Sequence, residues 1–402
     1  MVWIKHTGCR YHTQDTGYYC SAACSMMVLA EIGVPYSQLD QDDLYNDIHA
    51  HNAASSGWYG DPYGIRYVLN NRRPAGTYGY IASLPTTEEE GSRKIVHTLH
   101  KYGVSPIALV FGCAHWIVIP GCITDVEPVS GANYAINGFW IHNSVAEDNE
   151  PHDATDPCGS GGVNGTGNEY VTYNTWQDDY FTGCNYNNPD GLKQYITVVD
   201  PEPPKIGLPR HVPREMLADG RRIIERNQAI EFSMKGIEKH LAKDERVNEI
   251  LRKNNPGKPL LVKRLDRLNK YYYLVPHQNS EGVRAYSEVD ARYGEFMGVS
   301  LLERNIERKA MPRVLPTRFI TRRLMRQTNG RIELKAQKRA LKLFPEAVSV
   351  SPTMVWTPCQ ESYSPAMPFY LYMVGTTPIY VRIDGKIFTE LTTVFTTGLK
   401  GD

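Results

Sequence analysis

The stretch Q-D-T-G-Y-Y-C-S-A-A-C-S-M-M-V-L-A-E-I-G, residues 14–33, places two cysteines four positions apart at the start of an apolar run. Small and apolar residues follow Cys20, and Gly33 closes the run, which predicts a buried helix beginning at Cys20. A thiol at the start of a helix has three interpretations. It is a nucleophile, a metal ligand, or one of two buried cysteines that only pack.

Cys20 occupies the position that a nucleophile requires, because the free N–H groups of a helix N-terminus stabilise a thiolate. Cys24 follows one helical turn later, and we expect it to face the core as packing. The metal interpretation joins these two cysteines to Cys9 and His12, since Cys-x2-His and Cys-x3-Cys are acceptable zinc spacings. The packing interpretation needs no partner at all, because free cysteines are commonly small buried apolar residues.

Partners for a nucleophilic thiol occur further along the chain. The longest uncharged run, residues 105–123, predicts two buried strands, and His115 lies in the second, where an unbonded imidazole would cost stability. The next apolar stretch carries Asn143, whose amide oxygen would accept the imidazole N–H, and His142 is its rival on the opposite strand face. Gln14 would donate to a developing oxyanion together with the backbone N–H of the thiol residue.

In this order, the residues resemble the papain-like cysteine peptidases. The pattern is a glutamine, five residues, a cysteine that opens a small-residue helix, and later a histidine and a polar residue on strands. The local sequence is most similar to the bacteriocin-leader-processing (double-glycine leader) branch, and the similarity covers roughly residues 10–145. The resemblance implies that Cys20 is the nucleophile, His115 the base and acid, Asn143 the orienter and Gln14 the oxyanion donor. It implies no metal and no organic cofactor.

Two other classes of function use the same residues. A cell-wall amidase of the NlpC type pairs a cysteine with two histidines and would use His142, although the D-C-S-G signature of that family is absent from the sequence. A binding or regulatory protein with an inactive peptidase fold would keep the helix but would not hydrolyse peptide bonds. Ser21 stands where the leader-processing branch has glycine, and Asn143-Ser144 stands where it has Asp-Pro. The identity of the third catalytic residue is therefore open between Asn143 and His142.

The chain divides into two halves of opposite charge. Residues 1–200 carry 9 Lys and Arg against 22 Asp and Glu, and the remaining residues carry 35 against 22. We expect an α+β fold with a papain-like cysteine peptidase domain over 1–200, in which residues 151–190 form a long irregular loop. A proline-rich linker over 201–213 and a basic α+β module over 214–402 follow.

The basic module contains a weak internal repeat, because residues 271–296 resemble residues 369–388. We interpret it as two units of helix plus antiparallel sheet, about 214–310 and 311–402, distantly similar to PepSY or cystatin modules. PepSY modules are associated with peptidase propeptides. The resemblance and the charge asymmetry raise the hypothesis that the module docks on the acidic domain and restricts the Cys20 cleft. The alternative is packing for stability away from the cleft.

The expected partner is a peptide or protein substrate. Basic residues of the second half alternate with acidic ones on amphipathic helices and no nucleic-acid motif occurs, so we expect no nucleic-acid partner. The sequence shows neither an N-terminal apolar leader nor an uninterrupted membrane span. We therefore expect no membrane partner, and a chain that is cytoplasmic or exported without a cleavable leader.

Overall fold

The computed structural model describes residues 2–54, 57–129, 133–144, 166–186, 188–199, 213–280, 282–306, 353–374, 377–383, 386–393 and 400–401. The linker predicted at 201–213 lies outside the described residues except for Pro213, and so does most of the first half of the repeat unit predicted at 311–402.

Within these ranges the chain forms helices and strands that alternate irregularly. The helices are α1 (Cys20–Glu31), α2 (Gln41–Ala50), α3 (Pro62–Arg72), α4 (Glu88–Lys101), α5 (Tyr173–Thr175), α6 (Arg226–Leu241) and α7 (Glu245–Lys253). The strands are β1 (Trp3–His6), β2 (Ile81–Ser83), β3 (Ile107–Val110), β4 (His115–Thr124), β5 (Ile136–Asn143), β6 (Thr166–Thr172), β7 (Thr197–Val199), β8 (Asn255–Pro256), β9 (Leu260–Arg264), β10 (Tyr271–Gln278), β11 (Val283–Asp290), β12 (Phe296–Ile306), β13 (Thr353–Trp356), β14 (Phe369–Val374), β15 (Thr377–Arg382) and β16 (Ile387–Phe388).

The described strands belong to one mixed sheet. Its order is β16-β15-β14-β13-β9-β10-β11-β12-β6-β5-β4-β3-β7-β2, with β1 added to β4 and β8 added to β10. Among the pairings between described strands, only that of β13 with β9 is parallel. The pairing of β12 with β6 joins the strands of residues 1–200 to those of the C-terminal half. The fold is therefore mixed α/β and compatible with the predicted α+β class.

The helix predicted to begin at Cys20 is confirmed, and α1 begins at that residue. Ten of its twelve residues are buried, which is why the run is apolar on every side rather than on one face. The helix packs against β4, α2 and α3. It is a central core element, and its first turn meets the beginning of β4.

Strand β4 separates two parts of the core. On one face, Ile117 and Ile119 pack with residues of α4 and β5. On the other face, Trp116 and Val118 pack with α1 and α3. A strand covered on both faces must be apolar at every position, and this explains the uninterrupted apolar sequence after His115.

The prediction of an irregular loop over residues 151–190 is wrong for its central part. Residues 166–172 form β6, α5 follows, and Trp176–Tyr180 continue as a π-helical turn. The polar composition was misleading because Glu169 is buried and its carboxylate accepts hydrogen bonds from Tyr180 and Ser364. In a sequence, polar residues that are buried with hydrogen-bond partners cannot be told from exposed loop residues. Residues 151–165 lie outside the described residues.

No helix among the described residues is both long enough and apolar enough to cross a membrane.

Candidate active site

The thiol of Cys20 lies at the first turn of α1 and is fully buried. Its Sγ accepts the backbone N–H of Trp116, the second residue of β4, at 3.3 Å. The N-cap residue, Tyr19, provides no side-chain cap, and the first turn carries no acidic residue. The partial positive charge of this helix end is therefore not neutralised by a carboxylate of the first turn.

Cys24, one turn later, is equally buried. Burial raises the pKa of its thiol well above the usual value. Because the reactive species is the thiolate, a thiol held protonated by burial is inert. The two cysteines of the opening sequence thus differ in kind: Cys24 packs, as predicted, whereas Cys20 meets the backbone of the histidine strand.

The side chain of His115 is joined to Asn143. Its Nε2 lies 3.0 Å from Asn143 Oδ1, and both residues are fully buried. The amide Nδ2 of Asn143 donates to the carbonyl oxygen of Tyr363 at 3.1 Å. A carbonyl only accepts, so Nδ2 must face Tyr363 and Oδ1 must face the imidazole. Since Oδ1 is also only an acceptor, Nε2 carries the proton and Nδ1 is the basic nitrogen.

The ring of Tyr363 lies flat on the imidazole of His115. The two centroids are 4.1 Å apart and the planes differ by 9°. Only 1% of Tyr363 is exposed, so the ring shields the His115–Asn143 hydrogen bond from water. A shielded hydrogen bond is stronger than an exposed one because water no longer competes for it. Tyr363 therefore fixes both members of the pair, one through its ring and the other through its carbonyl.

The turn before His115 is held in an unusual backbone conformation. Phe111, Gly112 and Cys113 have φ values of 53°, 68° and 71° in succession. Two of the three are not glycine, and left-handed backbone at such residues persists only when the surroundings impose it. The surroundings do so here: Phe111 N–H donates to Tyr180 O at 2.7 Å and Cys113 forms a disulfide with Cys184. The start of β4 is thereby a rigid support for His115.

Gln14 is fully buried beside the residue that follows Asn143. Ser144 Oγ donates to Gln14 Oε1 at 3.3 Å, and Gln14 Nε2 donates to Thr16 O at 2.9 Å. The serine thus orients the amide, and a side-chain amide nitrogen carries two N–H groups. Gln14 lies in the segment that leads into α1, which connects it to Asn143 through Ser144 and to Cys20 through the backbone.

His142 points to the other side of β5. Its Nε2 lies 2.9 Å from the carbonyl oxygen of Cys9, and its ring meets the edge of the Tyr11 ring. Burial lowers its pKa to about 4. The structure therefore brings Asn143, and not His142, to His115, and gives His142 a neutral, buried position.

We expect His142 to make the fold acid-labile. Its pKa is about 4 when folded and 6.5 when unfolded, so the unfolded chain takes up a proton first. The free energy of unfolding is therefore highest above pH 6.5, and it falls by about 3 kcal/mol as the pH drops towards 4. Urea unfolding of His142→Phe should show one proton fewer taken up on unfolding in this window. An unchanged pH slope would contradict the buried neutral position.

The zinc interpretation finds no support in the geometry. In the part of the chain that the structure describes, no group of three or more His, Cys, Asp and Glu side chains is arranged to hold a metal ion. His12 Nδ1 instead lies 2.6 Å from Thr13 O, and Cys9 Sγ donates to Met27 O. Cys9, His12, Cys20 and Cys24 therefore do not form the set that their spacing allowed.

Sequence reasoning missed Tyr363 and the role of Trp116. Tyr363 lies 220 positions after Asn143 in a segment without any catalytic motif, and no local signal identifies it. Trp116 was visible only as an apolar neighbour of His115, yet its backbone reaches Cys20 and its indole N–H donates to Gly60 O at 2.9 Å.

Comparison of the chain with protein-family models, with curated proteins and with solved structures gives no match.

Proposed function

We propose that the protein is a cysteine peptidase with a papain-like catalytic arrangement, in which Cys20, His115, Asn143 and Gln14 act on peptide bonds. The observation that carries the proposal is the hydrogen bond from His115 Nε2 to Asn143 Oδ1, made on the strand whose next residue contacts the thiol. It supports an imidazole whose Nε2 carries the proton and whose Nδ1 is the basic nitrogen. A histidine oriented by an amide, on a strand that also contacts a helix-start thiol, is the kind of arrangement that nucleophilic catalysis needs.

In the first half of the reaction, Cys20 Sγ attacks the carbonyl carbon of the scissile peptide bond and its proton passes to His115 Nδ1. The carbonyl oxygen becomes an oxyanion, which accepts hydrogen bonds from the Cys20 backbone N–H and a Gln14 N–H. The C–N bond then breaks, and the leaving amine takes the proton from the imidazolium. The product is a thioester between the substrate acyl group and Cys20.

In the second half, water attacks the thioester carbon and gives a proton to His115 Nδ1. The C–S bond breaks, the carboxylic acid leaves, and the proton returns to Cys20 Sγ. Asn143 keeps the imidazole in one tautomer through both halves, since its Oδ1 stabilises the protonated Nε2. Tyr363, from the C-terminal half, preserves that hydrogen bond by excluding water. The C-terminal half thus contributes to the site, in addition to any regulatory or substrate-binding role.

The competing function is a binding protein on an inactive peptidase fold. Incubation of the full chain with a mixture of synthetic peptides, followed by mass spectrometry of new peptide ends, separates the two. We expect cleavage products from the native chain and none from a sample alkylated with iodoacetamide after brief exposure to a mild reductant. Products that persist after complete alkylation of Cys20, or no products from any peptide, would contradict the proposal.

A further inference from the structure

Residues 400–401 lie in a slot beside the candidate active site. The N–H of Lys400 donates to Gly57 O at 3.0 Å, and the carbonyl of Lys400 accepts Tyr59 N–H at 2.9 Å. Both backbone groups of one residue thus pair with the two residues that flank Trp58, as an isolated parallel bridge. An extended segment that binds through its main chain to an exposed backbone edge is a common mode of peptide recognition.

The opposite wall of the slot is the turn that supports His115. Gly401 N–H donates to Cys113 O at 3.1 Å. Gly401 also lies against the indole of Trp116, the residue whose backbone N–H contacts Cys20 Sγ. The segment is therefore bound between the Gly57–Gly60 loop and the start of β4, next to the groups that hold the thiol.

The position of Gly401 accepts no side chain. Its φ is +69°, and a Cβ there would lie 2.3 Å from Gly60 O and 2.8 Å from Trp116 Nε1. These two atoms are hydrogen-bonded to each other at 2.9 Å, so neither can move away without breaking that bond. Both the positive φ and the lack of room for a side chain therefore require glycine at this position.

The neighbouring position has a different preference. The ammonium of Lys400 lies 5.7 Å above the ring of Trp58, and it donates to Asn185 O at 3.5 Å. A cation over an indole ring is attracted by the negative face of the ring. This position favours a basic residue directly before the glycine.

We propose that this slot is a peptide-binding cleft that selects a basic residue followed by glycine, and that Lys400 and Gly401 occupy it as a ligand in cis. The cleft gives the substrate class of the proposed function. Cleavage of a bound peptide rests on that function, whereas binding of the peptide does not. A ligand on the same chain competes at a high effective concentration, so peptides added in solution bind weakly until it is displaced.

Binding is measured in the full chain carrying Cys20→Ala, which removes hydrolysis from the experiment. The probe is fluorescein-labelled Gly-Leu-Lys-Gly-amide, followed by fluorescence polarisation. Gly401→Ala displaces the residue from the cleft, and Gly76→Ala is the matched control. Gly76 has a similar φ of +86° but open space around its Cβ position, so it reproduces the backbone strain without the collision.

We expect the probe to bind Gly401→Ala about tenfold or more tightly than the Gly76→Ala control. A probe ending in Lys-Ala-amide should bind neither chain in the same range. Lys400→Glu provides a second route to displacement, should Gly401→Ala fold poorly, and it should also tighten binding of the glycine probe. Equal affinity of the glycine probe for all chains, or equal affinity of glycine and alanine probes, would overturn the inference.

This result is separate from the test of catalysis. Selective binding without cleavage of any peptide, either by the native chain or by Gly401→Ala with Cys20 intact, would support the cleft and reject the peptidase. Cleavage of peptides without any preference for glycine would support the peptidase and reject the cleft.

Discussion

Replacing Cys20 with alanine is expected to lower peptide hydrolysis by about 10⁴-fold or more, because loss of a nucleophile removes the covalent route entirely. Cys24→Ala is the matched control: it removes an equally buried thiol from the same helix one turn away. We expect the rate of Cys24→Ala to stay close to that of the native chain once the folded fraction is taken into account. The measurement is kcat/KM on a peptide found to be cleaved by the native chain.

Asn143→Ala distinguishes the roles within the site. It should lower turnover far less than Cys20→Ala, since it removes the orientation of the imidazole and leaves the nucleophile in place. A native rate in Cys20→Ala, or equal losses in Cys20→Ala and Cys24→Ala, would be incompatible with a unique nucleophile at Cys20.

The second large effect is expected at Tyr363. Tyr363→Ala should lower the free energy of unfolding by about 3–5 kcal/mol, because it empties a fully buried aromatic position. It should also lower kcat by about 10- to 100-fold with little change in KM, because water then reaches the His115–Asn143 hydrogen bond. Urea unfolding and steady-state kinetics on the same preparation measure the two effects separately.

Tyr363→Phe keeps the ring on His115 and leaves the backbone carbonyl that Asn143 contacts unchanged. We expect its kcat to remain close to that of the native chain. If Tyr363→Ala loses stability but the folded fraction retains native kcat, the ring has only a packing role. If Tyr363→Phe is as slow as Tyr363→Ala, the shielding explanation is wrong and the hydroxyl group is required.

The predicted elements around the thiol follow from local chemistry. The apolar run after Cys20 could form only a buried helix, and the run after His115 could form only strands covered on both faces. The alternation of strand faces explains why Asn143 reaches His115 and its neighbour His142 does not. Apolar runs and the alternation of strand faces are periodic patterns, so they can be recognised in the sequence alone.

Long-range contacts were not predictable in the same way. Tyr363 and Gly401 reach the site from segments that carry no motif, and their positions depend on how β12 pairs with β6 and on the parallel pairing of β13 with β9. The β6 segment was misread because its glutamate is satisfied by partners distant in sequence. A sequence pattern indicates which residues are buried and which local conformation they adopt. It does not indicate which distant segment supplies their packing or hydrogen-bond partners.

Opposite charges on the two halves led to the hypothesis that the C-terminal module docks at the Cys20 cleft. Contacts of that kind occur at Tyr363, which stacks on His115, and at Gly401, which lies on Trp116. Both are made through an aromatic ring or the main chain rather than through ion pairs. High salt should therefore leave these two contacts in place, and docking that depends on net charge remains a prediction.

We infer that Cys20 is the one activated thiol among the cysteines that the structure describes. The direct measurement is the site of modification after brief exposure of the folded, full-length protein to iodoacetamide, mapped by peptide mass spectrometry in the native chain and in Gly401→Ala. We expect modification of Cys20, faster in Gly401→Ala, with Cys9, Cys24, Cys122 and Cys359 unmodified while the chain stays folded. No modification of Cys20 in either chain, or modification of these four cysteines to a similar extent, would contradict this expectation.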